Sequence, residues 1–133
     1  MIRPRMVFSG ATGERAPRAL SVLLDAMTRW NTELMREAPG TYPPLYGSGM
    51  RYQRENYSGP HPEDWRDAPE MLRRGGGDCE DLACYRAAEL RVQGEPAKAM
   101  FHAAERSSGG RLFHIIVMRG DGSLEDPSRA LGM

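Results

Sequence analysis

The sequence has little of three things that would have placed it at once. It holds two cysteines in 133 residues, Cys79 and Cys84. Two thiols five positions apart cannot build a disulfide framework, so a reducing, cytoplasmic location is expected. It has no apolar run near the roughly 18 residues that a membrane span needs. It has no charge surplus, because 18 basic residues face 18 acidic ones. A nucleic-acid binder normally shows a basic excess. The densest basic pair, Arg73-Arg74, reads as the solvated end of a helix. Neither nucleic acid nor a membrane is therefore an expected partner. Met1 to Ala16 carries three arginines but no continuous apolar core of about 7–15 residues, so it does not read as a secretory signal.

What is present fits one soluble domain spanning 1–133, with 40% hydrophobic and 27% charged residues. Fifteen glycines and ten prolines point to long, shaped loops rather than a plain helical bundle. Residues 1–15 read as a loose arm with an apolar patch at Met6-Val7-Phe8. Pro17 then suits a first helical turn. Leu20, Leu23, Met27, Trp30 and Leu34, with Leu24 beside them, recur at steps of three or four. That spacing predicts an amphipathic helix stopped by Gly40, with the stripe packed inward. Residues 38–63 are dense in Pro, Gly and Tyr, and a connection this long is often functional. Met50 to Tyr52 reads as a short extended piece inside it.

Trp65 to Arg74 predicts a short helix, broken by Gly75-Gly76-Gly77. Asp78 is a good N-cap and Asp81 completes a box-like start for a helix running to about Gln93. Cys79, Ala83, Ala87 and Leu90 fall on one face of it, with Leu82 and Arg86 flanking. Gly94 is the stop signal. Ala97 to Ala103 predicts a strand, Ser107 to Gly110 a turn, and Arg111 to Met118 a central strand, apolar on both faces. Asp121-Gly122 marks a hairpin turn, and Ser123 to Asp126 begins a third strand. Helices first and an antiparallel sheet last is an α+β pattern.

Three residues stand where chemistry could be done. Cys79 opens a helix, where unpaired N–H groups and a partly positive helix end favour a thiolate. The glycines before it would let a substrate backbone approach closely, and the Cys79 N–H would serve as an oxyanion donor. His114, inside the central strand, is the base that such a thiol needs. Asp126, past the hairpin turn, is the group that orients the base. The hairpin brings the Asp126 strand beside that of His114, with the pairing register left open.

The stretches GGGDCEDLACYRAAELRVQGEPAKAM and HIIVMRGDGSLEDPS resemble the transglutaminase-like superfamily of cysteine-dependent acyl-transfer enzymes, which share a papain-like core. The matching positions are Gly77-Asp78-Cys79-Glu80-Asp81, Leu90-Arg91-Val92-Gln93-Gly94, His114 and Asp126-Pro127, covering about residues 65–128. The segment LYGSGMRYQRE also resembles small members encoded by phages and prophages. The resemblance implies a Cys79–His114–Asp126 triad, no cofactor and no metal. It implies hydrolysis of a peptide or protein amide through a thioester, more than amine transfer. It departs from the family where Ile115-Ile116-Val117 replaces the aromatic residues after the base. The family's upstream Trp or Gln has no fixed counterpart here, and Tyr42, Tyr46, Tyr52, Gln53 and Trp65 stand as alternatives. Gly76, Gly77, Tyr52 and Trp65 are the expected substrate contacts.

Other readings compete. Cys84 lies about 140° around the helix from Cys79, at about 100° per residue, and is expected to be a packed core thiol. Glu80 and Asp81 oppose thiolate formation and are expected to face solvent, complementing the helix dipole. His61 and His102 read as surface or strand residues. A zinc site from Cys79, Cys84, His102 and His114 lacks the usual ligand spacing. The functional alternative is a non-catalytic phage structural or assembly protein that keeps the fold and binds protein partners.

Overall fold

The computed structural model describes residues 9–54, 64–105 and 111–133, with the backbone alone at 103–105 and 111–113. The Met6-Val7-Phe8 patch, His61 and the 107–110 turn lie outside the described residues. Among the described residues the α-helices are α1 (Ala16–Glu37), α2 (Ala68–Arg74), α3 (Cys79–Val92) and α4 (Pro127–Ala130). The strands are β1 (Arg51–Tyr52), β2 (Gly76–Gly77), β3 (Lys98–Glu105), β4 (Arg111–Met118) and β5 (Leu124–Glu125). A short 3₁₀ turn, Gly13–Arg15, leads into α1. The architecture is α+β, as the order of elements predicts, with helices packed on a C-terminal antiparallel sheet. Among the described residues no helix is long and apolar enough to cross a membrane.

The central element is α3. It is buried on almost every side, as a helix must be when protein surrounds it. One side meets Leu24 of α1 and Ala97, Ala99, Ile115 and Val117 of the sheet region through Ala83, Cys84 and Leu90. The opposite side meets Met35, Leu45, Met50, Met71 and Leu131 through Leu82, Tyr85 and Ala88. Its alanines keep the helix slim enough for neighbours to close on both sides. The Asp78 carboxylate accepts the Cys79 N–H at 2.7 Å. Asp81 Oδ2 accepts the Asp78 N–H at 3.1 Å, completing a capping box.

The packed face of α1 keeps Leu20, Leu24 and Met27 of the expected stripe but turns Trp30 out and adds polar residues. Leu24, Thr28, Asn31, Thr32 and Met35 are buried, whereas Trp30 is 49% exposed. Polar residues hold this face because each finds a partner. The Thr28 and Thr32 hydroxyls donate to the carbonyls one turn back, at 2.8 and 2.7 Å. Asn31 Oδ1 accepts the Ala68 N–H at 2.9 Å, tying α1 to α2. Trp30 reaches outward instead and donates its ring N–H to Asp67, the N-cap of α2.

In the main sheet β4 lies between β3 and β5, as its apolar faces predict. Its antiparallel register with β3 runs from Lys98↔Met118 to Glu105↔Arg111. On the other edge β5 pairs only with Val117 and Met118, leaving the earlier part of β4 without a β5 strand beside it. Two further features escaped the sequence pattern. Gly76-Gly77 forms a parallel pair with Arg51-Tyr52. Asp126-Pro127 starts α4, with the Asp126 carboxylate as its N-cap.

Cys84 is fully buried and donates to the Leu24 carbonyl at 3.5 Å, a packed core thiol as expected. Burial pushes it up to about 12 from the ordinary 9.0, against a hydrogen bond with the Thr28 hydroxyl. Between those values the unfolded chain has released a proton that the folded chain keeps. Stability is therefore full below about pH 9 and falls as pH rises toward 12. Cys84→Ala removes this contribution. Urea unfolding between about pH 8 and about pH 11 should show a shallower alkaline decline in the variant. Equal slopes would mean that this thiol does not carry the effect.

Candidate active site

Cys79 is the first residue of α3 and is half-buried. Its sulfur accepts a hydrogen bond from the Ile115 backbone N–H of β4. Because β5 stops short, that edge of β4 is open to the start of α3. His114 is the residue before Ile115 on the same strand. Its Nε2 lies 3.0 Å from each oxygen of Asp126. With Nε2 turned to the carboxylate, Nδ1 is the ring nitrogen left to exchange a proton elsewhere. Asp126 also accepts the Arg129 N–H at 3.3 Å, so one carboxylate caps α4 and holds the imidazole.

The preceding residue, Glu125, anchors this corner. It accepts from Arg86 Nε of α3 and from the Tyr46 hydroxyl, both at 2.7 Å, and from Arg119 at 3.3 Å. Burial alone would raise the Glu125 carboxyl. The bonds from Arg86 and Tyr46 outweigh it and hold the group below the usual carboxylate range.

The thiol does not rest as a thiolate. Burial raises Cys79 well above the ordinary thiol value, and the Glu80 carboxylate raises it further, while the Ile115 N–H acts the other way. Cys79 Sγ donates to Glu80 Oε2 at 3.4 Å. Among the described residues no hydrogen bond joins Cys79 to His114. Glu80 and Asp81 are 4% and 1% exposed, so the expectation that they face solvent is corrected. Both turn inward because their first-turn positions meet protein. Asp81 accepts the Asp78 N–H and the Arg66 N–H, and Glu80 meets the thiol. The Cys79 N–H is bound by the Asp78 cap, so it is not a free oxyanion donor in this arrangement.

The four expected substrate contacts divide. Tyr52 hydrogen-bonds to the Asp78 carboxylate and lies within electrostatic reach of Cys79. Burial, the Asp78 charge and that bond push its phenol up to about 12, so it remains a donor at neutral pH. Trp65 is half-buried on the same cluster as Cys79. Gly76 and Gly77 are buried, and the chain approaching them is the protein's own. A Cβ on Gly76 would lie 1.8 Å from the Arg51 carbonyl oxygen, and one on Gly77 would lie 2.6 Å from Asp81 Cβ. Their bareness serves β1 and the capping box.

Arg66, Glu80 and the Ile115 N–H were not anticipated as parts of the site. Arg66 Nη1 donates to Gln53 Oε1 at 2.6 Å and to the Gly76 carbonyl at 2.9 Å, fastening β1 and β2. No sequence signal identifies it. Asp126-Pro127 did carry one for α4, an N-cap residue followed by Pro. Cys84 is turned into the α1 packing, away from the start of α3, which separates two of the four residues weighed as zinc ligands. Among the described residues Asp78, Cys79 and Glu80 form a compact group with metal-ligating atoms. Asp78 is already engaged by the Cys79 N–H and Tyr52, so the group reads as a helix cap beside a thiol. Compared with known proteins, the chain matches no family model, no curated protein and no solved structure.

Proposed function

We propose that the chain is a transglutaminase-like thiol enzyme that cleaves an amide of a peptide or protein through a thioester. The observation that carries this reading is the His114–Asp126 pair at 3.0 Å, one residue from the peptide N–H that touches the Cys79 sulfur. Nucleophile, base and orienter thus come from α3, β4 and the start of α4, in the order the resemblance implies. His114 Nδ1 takes the thiol proton as sulfur bonds to the carbonyl carbon. The same nitrogen returns a proton to the departing amine, and water then releases the acyl group. Asp126 orients the ring and balances its transient positive charge. Tyr52 is a protonated side-chain donor within electrostatic reach of Cys79 that would serve the oxyanion, once it exchanges Asp78 for substrate.

A second reading is favoured by one observation, the thiol held neutral against Glu80. It is a non-catalytic structural or assembly protein, of the kind phages encode, that retains this fold. Incubation with a mixed peptide pool separates the two. Cleaved or deamidated peptides should appear, and an acid quench should trap an acyl group on Cys79. Cys79→Ala should lose at least about a thousandfold in rate, as expected when a nucleophile is removed. A pool left unchanged by the wild-type chain, or processed equally by Cys79→Ala, sinks the enzymatic reading.

A further inference from the structure

We infer that Glu80 is a brake on Cys79, a competing hydrogen-bond acceptor that keeps the nucleophile as a thiol until the Sγ–Oε2 contact is broken. The inference rests on Cys79 being the nucleophile of the proposed reaction. It starts from the covalent neighbourhood. Cys79 and Glu80 are the first two residues of α3, and the capping box built by Asp78 and Asp81 fixes that turn. The side chain of Glu80 is therefore delivered to the sulfur by the backbone, at 3.4 Å. At 4% exposure the carboxylate is largely withdrawn from water, so its charge is poorly screened. A carboxylate so placed accepts the S–H and repels the S⁻.

The groups around the sulfur come from each packed element. From α3 come Asp78 and Glu80, both opposing the thiolate. Tyr52 of β1 is a neutral phenol bound to Asp78. From β4 come the Ile115 N–H, which favours the thiolate, and the neighbouring His114. The Asp78 charge is shared with the helix cap and the phenol, so Glu80 is the carboxylate in direct contact with the reacting atom. When His114 takes the proton, sulfur becomes anionic and the imidazole cationic, while Glu80 stays a carboxylate. Its repulsion keeps that ion pair sparsely populated. Substrate that displaces Glu80, or rotates the sulfur toward His114, releases the brake.

Alkylation by iodoacetamide reads the thiol without any turnover. The thiolate sulfur bonds to the methylene carbon, iodide leaves, and the thiol proton passes to buffer. The rate at Cys79 in folded protein, from peptide mapping, should rise about three- to tenfold at neutral pH in Glu80→Gln, since thiolate fraction rises while intrinsic nucleophilicity falls. The midpoint of its pH profile should move down. Glu33→Gln, an exposed change on α1, should leave both unchanged. An unchanged or slower rate in folded Glu80→Gln overturns the inference. Should that variant fail to fold, Glu80→Ala is read the same way, and a wild-type Cys79 midpoint at or below the ordinary thiol value overturns the inference. A braked thiol that never carries an acyl group would keep this inference and remove the enzymatic reading.

Discussion

Gly76→Ala is expected to cost the protein most of its stability. Gly76 has φ +145°, a conformation that side chains rarely adopt. The added Cβ would also lie 1.8 Å from the Arg51 oxygen, 2.8 Å from its carbonyl carbon and 2.9 Å from its nitrogen. All three are backbone atoms, so no side chain can swing aside. Relief requires β1 to part from β2. That breaks the bonds from Arg51 N–H to Gly75 O at 3.0 Å and from Gln53 N–H to Gly77 O at 2.8 Å. It also lifts Met50 from its cluster and removes Tyr52 from Asp78. Strain, lost hydrogen bonds and lost packing together exceed about 4 kcal/mol. Thermal unfolding should show a midpoint lower by more than about 10 °C. Gly77→Ala should cost less, because the contact there is with the Asp81 side chain. A Gly76→Ala protein that melts with the wild type would show that β1 does not pack there.

His114→Ala is expected to have a large effect on rate with little effect on fold. The His114 side chain is largely enclosed, at 12% exposure, but Asp126 keeps its bond to the Arg129 N–H without it. The α4 cap survives, so unfolding should change by about 1–2 kcal/mol. The chemical loss is larger because the thiol is held neutral by burial and by Glu80. Without His114 nothing takes its proton as the bond to carbon forms. A loss of about 10²–10⁴ in kcat is expected for a missing general base. Asp126→Asn should also lose rate, through the ring tautomer, while Asn remains a good cap. Steady-state rates on a cleaved peptide check both. A His114→Ala chain that keeps wild-type kcat would remove His114 from the reaction.

Much of the fold was legible because it depends on local chemistry. Asp78 and Asp81 announced the start of α3 through capping, and the apolar run of β4 announced a central strand. The pairing of Gly76-Gly77 with β1 was not legible, because two glycines carry no β pattern and their partner lies 25 residues away along the chain. Nor was the turned face of α1. Thr28 and Asn31 count as polar in any periodicity, yet the Thr28 hydroxyl and the Asn31 Oδ1 each find a partner inside the core.

The site divides in the same way. Sequence by itself determined which residues are available, a thiol at a helix start, then a histidine and an aspartate on successive elements. It also determined the neutral charge balance and the absence of a disulfide framework. Tertiary structure alone decided what those residues face. It set His114 against Asp126, gave the Ile115 N–H to the sulfur and filled the space above the glycines with β1. It turned Glu80 inward, onto the sulfur. The reason is physical: a thiol's ionisation follows the burial and charges around it, and these come from contacts across the fold as well as from chain neighbours.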